Sequence, residues 1–242
     1  MQLQLIRSGG GLSTAATSRK KAPLKQVFFP AQDLYFNVYA APRPEAPNWV
    51  QVLCELDDGT ESICTYLSPF DAMLDAVFST KPQKRYYPIP ADTFDPTVFI
   101  ADNNGYLRLG LHLGWPARDG KVIARFNGRP ASFAIAEEKL AQSEKSERVE
   151  FAFSQSMLDC VDRLYESAGL EGYRNAFKTV TAWPEHQQAT AVARAVQQLG
   201  ELADAGTEFN QCALYDPDSM QWHFVSTEPV FTLHRLINGG NE

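Results

Sequence analysis

Hydrophobic positions change their spacing along the chain. They recur at every second residue over much of 27–136, at every third or fourth over 154–205, and at every second again over 208–226. A period of two marks half-buried strands, and a period near 3.6 marks amphipathic helices. The clearest stretch is WVQVLCELDDGTESICTYLSPFDAMLDAVFS, residues 49–79. Asp58-Gly59 is a two-residue turn signal, because a type I′ turn needs positive φ at both central positions. That turn sets Asp57 opposite Thr60, Leu56 opposite Glu61 and Cys54 opposite Ile63. Val50, Val52, Cys54 and Leu56 then share a face with Ile63 and Leu67. Cys64 falls on the other face, so the two thiols do not bridge. Ser68 is placed as a helix N-cap with Pro69 in the first turn. Phe70, Met73, Leu74, Val77 and Phe78 follow as a core-facing stripe.

The alternation of 97–136 predicts a four-stranded meander turned at Asn104-Gly105 and Asn127-Gly128. Leu107, Leu109, Leu111 and Leu113 line one face with Val98 and Ile100. Phe99, Tyr106, Arg108 and His112 line the other. In the second hairpin Val122, Ala124 and Phe126 align with Ala131, Phe133 and Ile135. Residues 137–150 are mixed in charge and read as a solvated helix or linker. Helices are predicted over 154–168, from Ser154 to a stop at Gly169; over 171–180; and over 184–205, with Gly206 as the stop. A final hairpin, 208–226, turns at 216–219. The fold class that follows is α+β: an antiparallel sheet of meander and hairpins with helices packed on one face. The pattern predicts a flexible basic arm over 1–25 and a single α+β domain over 26–226. That domain is β-rich over 27–136, helical over 154–205 and closed by the hairpin 208–226. A C-terminal tail follows over 227–242.

Charge sharpens the division between arm and body. The chain of 242 residues has a net charge of −7. Arg7, Arg19, Lys20, Lys21 and Lys25 give the arm +5, and the remaining 17 bases against 29 acids leave the body at −12. An acidic body disfavours phosphate backbones and a basic arm favours them. The four cysteines show no zinc-like spacing. There is no apolar run long enough for a bilayer and no apolar leader segment. A cytoplasmic protein is expected, with no membrane partner.

Nothing in the chain matches a phosphate-binding glycine loop, HExxH or G-x-S-x-G. No cofactor and no metal are expected, and an enzyme is disfavoured. The sharpest catalytic candidate is Cys212 with His223, which the turn at 216–219 sets directly opposite each other; an imidazole there lowers a thiol's pKa. For nucleic acid or partner binding the candidates are the arm (Arg7, Arg19, Lys20, Lys21, Lys25) and the basic-aromatic loop Lys84, Arg85, Tyr86 and Tyr87. A third is the meander's outer face, Phe99, Tyr106, Arg108 and His112, with Arg125 added. Aromatic rings there stack bases and arginines hold phosphates. The expected function is non-enzymatic: an intracellular adaptor, inhibitor or complex subunit with a protein partner and a protein-protein surface. The alternatives are a nucleic-acid-associated accessory protein using the arm and sheet face, and an enzyme using the Cys/His pair.

Overall fold

Strand β1 (Tyr35–Ala40) is the hub of the first half of the chain. The computed structural model describes residues 33–42, 44, 45, 48–57, 60–94, 106–140, 153–228 and 230. These fall into two compact units. The first takes the described residues up to His112 together with 136–140; the second takes 113–135 and those from Phe153 onward. The basic arm lies outside the described residues, as does the tail from 231.

In the first unit β1 pairs antiparallel with β2 (Val50–Val52), with the end of β4 (Thr60–Tyr66) and, across its other edge, with β5 (Tyr87–Pro90). Strand β3 (Cys54–Asp57) pairs with β4 in the expected register, Asp57 opposite Thr60, Leu56 opposite Glu61 and Cys54 opposite Ile63. Leu53 breaks the run between β2 and β3: its amide donates to Asn37 O and its carbonyl accepts from Cys64 N. Helix α1 (Pro69–Ser79) starts as its sequence demands, with the Ser68 side chain accepting from Asp71 N at 3.1 Å and Pro69 in the first turn. Its buried side is rotated from the expected stripe. Phe70, Leu74 and Phe78 are buried, but so are Ala72, Asp75 and Ala76, while Val77 is 49% exposed. The cause is polar: Asn37 and Tyr66 reach from the sheet to Ala72 and Asp75, which turns that side of the helix inward.

Strand β6 (Tyr106–Arg118) adds to β4 in parallel, Ile63 opposite Leu109 and Thr65 opposite Leu111, so the sheet is mostly rather than wholly antiparallel. The expected partners Val98 and Ile100, and the turn at Asn104-Gly105, lie outside the described residues. Gly114 and Pro116 interrupt the leucine alternation, yet β6 runs on to Arg118. It turns at Asp119-Gly120, both at positive φ (51° and 72°), into β7 (Lys121–Val122). Asn127-Gly128 sits in a wider loop closed by the single bridge Ala124 to Pro130, and Phe126 is 73% exposed rather than aligned with the core. Residues 137–140, expected in a solvated helix or linker, continue β8 (Phe133–Leu140).

The second unit holds α2 (Gln155–Ser167), α3 (Tyr173–Thr181) and α4 (Glu185–Gln198). The stripe of α2 is buried as expected at Met157, Leu158, Val161, Leu164 and Tyr165. Helix α4 ends at Gln198, just before Gly200 at positive φ, rather than continuing to 205. The chain beyond it runs beside β7 instead, where Ala203 N donates to Val122 O and Ala203 O accepts from Ala124 N, both at 2.8 Å. Strand β9 (Gln211–Asp216) pairs antiparallel with β6 and with β10 (Gln221–Ser226). α2 and α4 pack against β10. Strands and helices in these proportions make the protein α+β.

Candidate protein-interaction edge

The geometry of β10 follows from how its hairpin turns. The Asp216 carboxylate accepts from Asp218 N at 3.0 Å and from Ser219 N at 3.1 Å, and Met220 adopts a left-handed φ of 54°. Met220 therefore belongs to the turn, and the first opposed pair is Asp216 with Gln221, not Tyr215 with Met220. This corrects the expected register. Cys212 faces Val225, and His223 faces Leu214. Cys212 and His223 become diagonal rather than directly opposed neighbours, roughly 7–8 Å apart on a sheet face. The Cys212 thiol has 0% exposure and donates to Leu113 O at 3.5 Å.

The same register decides which backbone groups of β10 are used. Thr227 N donates to Asn210 O at 3.1 Å. In an antiparallel pair, bonded and non-bonded residue pairs alternate. Gln221, His223 and Val225 therefore turn their amides and carbonyls toward β9. Trp222, Phe224 and Ser226 turn theirs to the opposite side, and among the described residues β10 pairs with β9 alone. The strand QWHFVS contains no proline, glycine or charged side chain. It thus lacks the residues that commonly blunt a sheet edge.

The edge is firmly backed. Trp222 Nε1 donates to Ala195 O of α4 at 2.9 Å. The Trp222 ring meets Trp115 edge-on, with centroids 5.2 Å apart, and meets Tyr215 at the same distance. Arg194 Nη1 reaches Met220 Sδ at 3.2 Å, tying α4 to the turn. Burial raises the Tyr215 hydroxyl above its ordinary pKa, so it stays protonated at neutral pH.

Strand β5 presents the opposite case. Ala91 N donates to Leu34 O at 2.7 Å, and the pairing with β1 places Ile89 opposite Phe36 and Tyr87 opposite Val38. The alternate positions, whose nitrogens point away from β1, are Pro88 and Pro90. Neither has an N–H, so that side offers no donor there.

Of the residues expected to form a nucleic-acid platform, the described ones, Arg108, His112 and Arg125, are each engaged locally. Arg7, Arg19, Lys20, Lys21, Lys25 and Phe99 lie outside the described residues, as does the side chain of Tyr106. Arg108 Nε donates to Ser62 Oγ at 2.8 Å. His112 is 6% exposed, with its ring 5.1 Å from that of Tyr66, so an incoming base has no access to its face. Arg125 Nε donates to Pro130 O at 3.0 Å. The basic-aromatic loop does come together: Lys84 Nζ lies 4.7 Å over the Tyr39 ring, and Tyr39 meets Tyr86 edge-on at 5.3 Å. Arg85 and Tyr87 are exposed beside them. Burial raises the pKa of Tyr86.

Sequence patterning missed a polar cluster inside the first unit. Tyr66 OH donates to Asp75 Oδ2 at 2.6 Å, Ser79 Oγ donates to the same oxygen at 3.3 Å, and Asp75 is 1% exposed. Asn37 Nδ2 donates to Ala72 O at 2.9 Å. Burial, and then the charge of Asp75, push the Tyr66 pKa well above its ordinary value. A phenol held so firmly protonated anchors α1 to the sheet and does not serve as a base near neutrality. Apolar periodicity carries no signal for such a pair.

No family model, curated protein or solved structure matches the chain. Among the described residues no helix is long and apolar enough to cross a membrane, and no group of three or more His, Cys, Asp or Glu side chains is placed to hold a metal.

Proposed function

We propose that the chain is a non-enzymatic binding and assembly protein, an adaptor, inhibitor or complex subunit, that works by adding a protein strand to β10. The observation that carries this is the row of outward amides and carbonyls at Trp222, Phe224 and Ser226 on a strand backed by α4. Strand addition draws its affinity from such main-chain groups and its specificity from the alternating side chains. A backed, pre-formed edge lowers the ordering cost of association. Cys54, Cys64, Cys160 and Cys212 are all buried thiols outside any disulfide, which suits a reducing compartment such as the cytoplasm.

The test is capture from native extract with the full chain and its Ser226→Pro variant. That proline removes one outward N–H at an exposed position and leaves every bond to β9 in place. A protein partner, either another chain or a further copy of this one, is expected at near-equal amounts with the wild type and to be lost with the variant. Equal capture by both, or a wild-type chain that stays alone, overturns the proposal.

A further inference from the structure

We infer that the occupant of the β10 edge is a second copy of this chain, paired antiparallel about a twofold axis at Phe224. This rests on the proposal that β10 is an assembly edge, and names what fills it. The outward residues are three, evenly spaced and centred on Phe224. A twofold axis there sets Phe224 against Phe224 of the second copy and Trp222 against its Ser226. Each such pair exchanges both backbone hydrogen bonds, so every outward amide and carbonyl of the strand is satisfied. Any other self-pairing register leaves some of them unmatched.

The side chains agree with this register. Trp222 meets serine, and His223 meets Val225 of the second copy, so each larger side chain faces a smaller one. The axis itself carries an aromatic pair, which favours association across strands. No charged side chain lies between Gln221 and Ser226. Two chains of net charge −7 therefore meet here without placing like charges opposite each other within the strand. The contact is isologous, the same patch meeting itself, as in most closed dimers.

Two measurements on the full chain decide it. In sedimentation velocity at about 100 μM, the wild type is expected to run as a dimer, and Ser226→Pro to weaken it by about tenfold or more. Mild oxidation of Phe224→Cys is expected to give a covalent dimer, because bonded antiparallel pairs place Cα atoms about 5.5 Å apart, within disulfide range. Ser226→Cys is expected to stay uncrosslinked, since its neighbour in the second copy is Trp222. The native thiols, all buried, do not compete. A monomeric wild type overturns the second-copy assignment. If that monomer still captures another protein through a Ser226-dependent contact, the edge stands as an assembly site and only its occupant changes. A dimer indifferent to Ser226→Pro, or one in which both cysteine variants cross-link equally, overturns the pairing.

Discussion

Asp75 and Tyr66 fasten α1 from within. A buried carboxylate is costly without donors, and Tyr66 and Ser79 supply them at one oxygen. Replacing Tyr66 with Phe is expected to destabilise the fold by about 1.5–3 kcal/mol, the range for hydrogen bonds to charged groups, measured by urea denaturation at pH 8. Its pH signature has a defined sign. The folded chain holds the Tyr66 proton well above its ordinary pKa, so an unfolded chain releases it first. The contribution is complete below about pH 10 and is lost as pH rises toward the folded pKa, at up to about 1.4 kcal/mol per pH unit. Between pH 9 and 11 the wild type should lose stability more steeply than Tyr66→Phe; parallel slopes would contradict the burial argument. Gly114 is the second critical residue. It adopts φ +142°, and a Cβ built there would lie 2.6 Å from Ala213 O and 2.6 Å from Cys212 Sγ. Gly114→Ala is expected to cost about 3 kcal/mol or more from backbone strain and overpacking together. A thermal melt within a few degrees of wild type would show that β9 readily gives way.

Helix α1 and its preceding hairpin were legible because their signals are local. β3 and β4 pair in the register that Asp58-Gly59 predicts, and Ser68-Pro69 sets the start of the helix. Ser68→Ala should therefore cost about 1 kcal/mol, the usual worth of an N-cap, read by urea midpoint; no change would mean that the capping bond contributes nothing net. The β9–β10 register was not legible, because it depends on the Asp216 carboxylate reaching two amides and on the left-handed Met220. Those few torsions move Cys212 away from His223 and settle which amides of β10 face outward. Asp119-Gly120 did carry a turn signal, masked by the interruption at Gly114 and Pro116. The rotated face of α1 left no trace in the apolar spacing, since polar side chains draw it inward.

At the scale of the molecule, the contrast between β10 and β5 bears on how far the proposed association would proceed. A β10 edge that met β5 of another chain would make an unlike contact, and such contacts repeat unless rotation closes them. Restoring donors with Pro88→Val and Pro90→Val together is expected to give species larger than those of the wild type in sedimentation; an unchanged distribution would mean that the prolines do not limit growth.

If β10 assembles as proposed, Pro88 and Pro90 would act as chain terminators against a β10-to-β5 polymer. Without them, an unlike contact that did not close into a ring would let mass climb with concentration, as in a head-to-tail polymer. With them, light-scattering mass should rise and then level off, however concentrated the solution. On that reading, two missing hydrogens on one short strand would separate a discrete particle from a fibre.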